Sequence, residues 1–310
     1  MTDFSTLAGR PTKITARGFG WTHAGRTQPA LADIDLVIES GERVLLCGDS
    51  GSGKSTFLAA IAGVLGSDEE GIRAGEILLE DSTGAVEEPG HSIPVGLVLQ
   101  DSDSQVISAR MGDDIAFGCE NLAYPREEIW RRVAAAKDLV GPFVDLDFPT
   151  ERLSGGQKQR LALAGVIAMG AGVVLLDEPT ANLDPAGARD VVRAVSALVE
   201  ETGATLVVVE HQHSAWEGLL DRAVEIAHGR IVADGPFEQV AKRRRVEGLP
   251  QARELGDGAA GEGDAALWSK DLVTRFGPPR AISLPAGAST VITGPNGCLL
   301  YTSPSPRDRG

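Results

Sequence analysis

Residues 48–56 read GDSGSGKST, and no other stretch restricts the fold as tightly. They fit G-x-x-x-x-G-K-[ST], and they follow the apolar run RVLLC (43–47) and open the helical pattern STFLAAIAGVLG. A strand, a Gly-rich loop and a helix in that order are the setting a phosphate-binding loop requires. Gly48, Gly51 and Gly53 let the backbone turn tightly and aim its N–H groups at phosphate oxygens. The helix adds the positive end of its dipole. Lys54 can reach the β- and γ-phosphates of a nucleotide, and the Ser55 hydroxyl can hold Mg²⁺. Ser50 and Thr56 belong to the same nucleotide-binding set.

The rest of the chain supplies a scaffold for such a loop. VGLVL (95–99), VVLL (173–176) and TLVVV (205–209) are short, almost wholly apolar runs, like RVLLC. Strands of a parallel sheet covered on both faces have this composition. Helical patterns such as PAGARDVVRAVSALVEETG lie between them, so the expected fold is α/β, with helices on a largely parallel sheet. GEILLEDSTGAVEEPG reads as a strand and turn of an antiparallel edge. The uncharged run Leu161–Leu176 is shorter than the roughly 20 residues of a spanning helix. Gly170 and Gly172 divide it into a buried helix, a turn and a buried strand. The N-terminal MTDFSTLAGRPTK lacks the apolar core of a signal peptide.

Charge and cysteine content narrow the function. The net charge of −15 over 310 residues disfavours a nucleic-acid surface, which needs clustered Lys and Arg. Cys47, Cys119 and Cys298 are far apart and odd in number, so neither a disulfide framework nor a zinc site is expected.

Two further stretches carry chemistry. In VVLLDEPT (173–180) an acidic pair leaves the C-terminal end of a buried strand, where ligands bind in open α/β sheets. Asp177 is expected to help hold Mg²⁺ and Glu178 to polarise an attacking water. In LSGGQKQR (153–160) Ser154 can cap a helix, while Gly155 and Gly156 leave its first N–H groups bare, a second anion site. One nucleotide has no need of two such helix ends, so this one is expected to serve a nucleotide held by another unit.

With these three motifs in this order, the chain resembles the ATP-binding cassette (ABC) ATPases. The resemblance covers about 20–240 and implies an α/β P-loop NTPase fold with a largely parallel central sheet, an antiparallel β subdomain and a helical signature subdomain. It implies that Trp21 stacks on adenine and that Gln100 senses Mg²⁺ and links the ATP site to a membrane partner. ANLD (181–184), ending in Asp184, resembles the loop that crosses the dimer interface. His211 matches the switch histidine at the γ-phosphate, and Gln157 belongs with the signature; His213 matches no motif and is expected at the surface. QDSDSQVIS and DDIAFGCENLAYPREEIWRRV look like the ATPases of energy-coupling factor importers. Asp101 and Ser102 replace the Asn-Pro of that pattern, while Gln100, Gln105, Asp114, Ala116, Phe117 and Gly118 keep it.

The domain expectation is a complete ABC ATPase domain at 1–240 and a flexible linker at 241–265, where KRRR gives way to a Gly-rich stretch. Residues 266–297 are expected to be the N-terminal fragment of a second ABC ATPase domain, since LWSKDLVTRFGPPRAISLPAGASTVITGPNG parallels the start of the first. GPNG begins a phosphate loop that Cys298 onward does not complete, and Pro304 and Pro306 block the helix that should follow. CLLYTSPSPRD resembles a translated transposon-type sequencing adapter, and on that resemblance residues 298–310 are expected to be a non-native tail on a chain that natively continues. The implied working unit binds ATP and Mg²⁺ between two cassettes, the second being its own missing half, an identical copy or a paralogue. Its partners are an integral membrane coupling subunit and a substrate-binding membrane subunit, at the cytoplasmic face of the membrane. A soluble, non-transport ABC ATPase and a weakly hydrolysing nucleotide-binding regulator remain as alternatives.

Overall fold

A computed structural model describes residues 7, 9–66, 70–141, 145–181, 183–211 and 213–241, and the backbone of 265–274 and 277–285. The chain opens with β1 (Lys13–His23) and β2 (Leu31–Ile38), then enters β3 (Arg43–Cys47), the Gly-rich loop and α1 (Lys54–Ile61). Next come β4 (Gly71–Glu80), β5 (Val86–Glu87) and β6 (Val95–Val98). α2 (Met111–Asn121), α3 (Arg126–Leu139) and α4 (Gly155–Met169) follow, then β7 (Val173–Asp177), α5 (Pro185–Thr202), β8 (Thr205–Val209), β9 (Arg222–Ala227) and β10 (Arg230–Pro236).

The apolar runs form the central sheet, in the order β10-β9-β3-β8-β7-β6. β9, β3, β8, β7 and β6 are parallel, and β10 is antiparallel at one edge. Successive residues of a strand face opposite sides, and here both sides are covered. Leu45, Val174, Leu176, Leu206 and Val208 join one buried cluster with apolar residues of α2, α3, α4 and α5. Val44, Leu46, Val173, Leu175, Val207 and Val209 join the other, with Phe57, Leu58 and Ile61 of α1 and with Ile14, Phe19 and Ile34. Those last three come from a separate four-stranded antiparallel sheet ordered β2-β1-β4-β5. The uninterrupted apolar strands are thus explained by burial on both faces.

Local signals end the elements where the sequence places them. Gly170 (φ +72°) closes α4, whose run then turns into β7, and Gly203 (φ +67°) closes α5. The helix after the Gly-rich loop is shorter than its pattern: α1 stops at Ile61, and Gly63 turns the chain with φ +72°. GEILLEDSTGAVEEPG forms the edge pair β4–β5, joined through a turn in which the Asp81 carboxylate accepts N–H bonds from Thr83 and Ala85.

Farther along the chain, β11 (Ala265–Thr274) and β12 (Gly277–Pro285) form a two-stranded antiparallel sheet. Its register repeats that of β1 and β2. The pairs Ile14–Ile38, Thr15–Val37, Ala16–Leu36, Phe19–Ile34 and Trp21–Leu31 correspond to Leu267–Leu284, Trp268–Ser283, Ser269–Ile282, Leu272–Arg280 and Thr274–Gly277. Two irregularities fall at the same steps, between Ala16 and Phe19 and between Phe19 and Trp21 in one, and between Ser269 and Leu272 and between Leu272 and Thr274 in the other, where a further one lies between Ala265 and Leu267. The KRRR cluster and the rest of the linker through residue 264, the GPNG segment and the tail at 298–310 lie outside the described residues.

Candidate active site

Four parallel strands deliver the site from their C-terminal ends. β3 leads into the Gly-rich loop, β6 to Gln100, β7 to Asp177 and Glu178, and β8 to Glu210 and His211. Gly48 leaves β3 with φ +148°, and a β-carbon there would lie 2.1 Å from the carbonyl oxygen of Ile226. At Gly53 (φ +108°) a β-carbon would lie 2.6 Å from the carbonyl oxygen of Ala30. Only glycine fits either position. Lys54 is buried at 5% exposure, and its ammonium donates to the carbonyls of Gly48 (3.0 Å) and Asp49 (2.8 Å). The lysine thereby closes the loop on itself and holds a positive charge at its centre. Ser50 and Ser55 are exposed and Thr56 is half-buried, while Ser52 is buried and its hydroxyl has no partner among the described residues.

Glu178 is the hub. Gln100 Nε2 donates to its Oε2 at 3.1 Å, and His211 Nε2 lies 3.0 Å from its Oε1. Its backbone is left-handed (φ +50°), and its N–H donates to the carbonyl of Val209 at 2.9 Å. A non-glycine residue is strained in that conformation, and the bond to β8 holds it there. The neighbouring Asp177 carboxylate bonds the Ser55 hydroxyl, and burial pushes its pKa above the ordinary value, with the Glu178 charge adding to the effect. The Ser55 bond and the charges of Lys54 and His211 oppose that rise.

The loop carrying Gln100 is pinned by residues the motifs only partly disclosed. Gln105 Oε1 accepts the N–H of Leu99 at 3.0 Å, and Gln159 Nε2 donates to the carbonyl of Leu99 at 3.3 Å. Lys158 pairs with Asp103. The helix α4 is in this way tied to the chain on either side of Gln100.

The signature residues form a second group at the start of α4. Ser154 caps the helix, accepting the N–H of Gln157, and Gln157 Oε1 accepts the N–H of Ser154 at 2.8 Å, a reciprocal capping box. The Gln157 oxygen is thus engaged by the helix itself. Among the described residues, a β-carbon at Gly155 or Gly156 would meet nothing within 4 Å but the Leu183 side chain, in ordinary contact. Asp184 caps α5, its Oδ1 accepting the N–H of Gly187 at 2.7 Å.

One expectation is corrected. Trp21 does not offer an open ring face: it is 4% exposed and packs in the core beside Phe19. Two irregularities in β1 bury Phe19, Gly20 and Trp21 in succession. The indole N–H donates to His23 Nδ1 at 3.1 Å, and Gly71 of β4 leaves room for the ring, since a β-carbon there would lie 2.3 Å from Cζ2. The exposed ring at this end of β1 is that of His23. Two side chains were missed by motif. His213 is half-buried rather than plainly superficial, with Nε2 3.1 Å from the carbonyl of Glu210. Glu210 itself is a buried carboxylate whose only sequence signal is an acid ending an otherwise apolar run.

Comparison with known proteins agrees with this geometry. The sequence profile of the ABC transporter family matches residues 31–181. An energy-coupling factor transporter ATP-binding protein, EcfA1, of Caldanaerobacter subterraneus subsp. tengcongensis is 37% identical over 77% of the chain and 86% of its own length. A putative ABC transporter ATP-binding protein of Methanosarcina acetivorans is 38% identical over 73% of the chain, which spans only 35% of that relative. The solved structure of CbiO1 from Clostridium perfringens, described as part of the ABC transporter complex CbiONQ, aligns with a TM-score of 0.64 and 30% identity over 75% of this chain and 92% of that one. The chain belongs to the ABC transporter family of ATP-binding proteins and carries the fold of its ATPase cassette.

Proposed function

We propose that this chain binds and hydrolyses ATP for an importer of the energy-coupling factor type. One observation carries the reading: a single carboxylate, Glu178, is held between the Gln100 amide and the His211 ring beside the Ser55–Asp177 pair. Glu178 orients and polarises the attacking water, His211 contacts the γ-phosphate, and Lys54 with the loop N–H groups bears the charge that develops on the transferred phosphoryl group. The Ser55 hydroxyl, the Asp177 carboxylate and the Gln100 amide are hard oxygen donors that fit Mg²⁺, a cation that takes few protein ligands. When bound, Mg²⁺ neutralises phosphate charge. Glu178→Gln is expected to lower ATP turnover by about 100-fold or more while leaving nucleotide affinity nearly intact. An unchanged rate sinks the role given to Glu178.

Ser154, Gly155, Gly156 and Gln157 would cap the ATP of a facing cassette, with Asp184 at the interface. The repeated hairpin register supports a second cassette that starts near Ala265, within a protein longer than this chain. An identical copy or a paralogue is the other source of the facing surface. The partners are an integral membrane coupling subunit and a substrate-binding membrane subunit, and the cargo is a vitamin, a vitamin precursor or a metal ion. The likeness to EcfA1 and to CbiO1 supports that class. Among the described residues no helix is long and apolar enough to cross a membrane, so attachment would come through those partners. Expression in the native host followed by detergent extraction should recover the protein with integral subunits. Recovery without any of them favours a soluble, non-transport ATPase.

A further inference from the structure

Glu210 follows β8, a strand whose five residues are all buried, and is itself 4% exposed. A carboxylate so placed is costly unless both oxygens are engaged. Here they are engaged by two different loops. Oε2 accepts from the Thr180 hydroxyl, in the turn after Glu178, and Oε1 accepts from the backbone N–H of His211 at 2.8 Å. The same Thr180 turn is closed by the N–H of Ala181 donating to the carbonyl of Glu178 at 3.0 Å.

We infer that Glu210 is a positioning residue for the reaction: one buried carboxylate clamps the loop that carries Glu178 to the loop that carries His211, and so sets the 3.0 Å approach of their side chains. The chemistry of the clamp specifies its residue. The His211 N–H can only donate, and the Thr180 hydroxyl donates here. A carboxylate accepts both as charge-assisted bonds; an amide accepts only one, makes the Thr180 hydroxyl turn to accept instead, and leaves both bonds neutral and weaker. Its two bonds reach the loops that carry Glu178 and His211, so its loss is expected to fall on the chemical step. This inference rests on the ATPase reading above.

The test uses the full chain with Glu210→Gln, Thr180→Val and Thr180→Ser, each also in a His211→Ala background. Glu210→Gln and Thr180→Val are expected to lower kcat by about tenfold with KM for ATP changed less than twofold, while Thr180→Ser, which keeps the hydroxyl, restores the rate. With His211 replaced by Ala, Glu210→Gln should cause little further loss, because groups acting as one unit are not additive. An equal tenfold loss in both backgrounds, or a parallel rise in KM, overturns the inference and leaves Glu210 a structural residue. A second readout does not need turnover: the imidazole resonances of His211 should shift when Glu178→Gln is introduced, and should stop responding once Glu210→Gln is present. If neither the unaltered chain nor an assembly that pairs it with a second cassette hydrolyses ATP, the activity reading fails, and this resonance alone decides the clamp.

Discussion

Gly48 concentrates two constraints in one residue, a left-handed φ of +148° and the carbonyl of Ile226 where a β-carbon would stand. Gly48→Ala is therefore expected to destabilise the fold by about 2–4 kcal/mol, from backbone strain and overpacking together, read as a lowered urea midpoint. The same change displaces the two carbonyls that hold the Lys54 ammonium, so nucleotide affinity should fall with it. The residues gathered in the candidate site could be picked out in sequence because each stands at a strand's C-terminal end inside a motif: Lys54 and Ser55, Gln100, Asp177 and Glu178, His211. Trp21 was misread because its burial depends on bulges in β1 that no local pattern announces. Glu210 was passed over because its role depends on Thr180, which reaches it from the loop after another strand.

Among elements, the β4–β5 turn owes its shape to one side chain. Asp81 accepts from the Thr83 hydroxyl, from the N–H groups of Thr83 and Ala85, and from Arg10 at 3.1 Å. These bonds, the Thr83 hydroxyl foremost, hold its pKa down from 3.8 to about 2. A pKa lower in the folded than in the unfolded chain means that the carboxylate stabilises the fold fully above about pH 4, and that this contribution is lost as pH falls toward 2. Asp81→Asn should lower the urea midpoint at neutral pH and flatten its dependence between about pH 4 and pH 2; an unchanged slope would count against the turn's reliance on Asp81. The strands were legible from their uninterrupted apolar runs, and α4 and α5 from their glycine stops. α1 was read too long because its apolar pattern continues past Gly63, where the backbone, not the hydrophobicity, ends the helix.

At the scale of the molecule, the two buried clusters divide the central strands residue by residue, so a strand cannot slip by one position without exchanging its two faces. The alternation of β3, β8 and β7 between clusters could not be assigned from sequence, since both faces are apolar; it required knowing that α2–α5 cover one side and α1 with an antiparallel sheet the other. The two hairpins are alike in another respect. Residues 22–30 join the pair Trp21–Leu31, whereas only residues 275–276 join Thr274–Gly277, and yet the pairing is the same. In hairpins generally the turn dictates the register; here two connections of different length accompany the same bulged pairing. For protein engineering that makes residues 24–29 a permissive insertion point. A peptide carrying a fluorophore could be spliced there without sliding β1 along β2, and so without moving Ala30, whose carbonyl abuts Gly53 of the phosphate loop. The chain thus offers a built-in mounting for a probe beside its own Gly-rich loop.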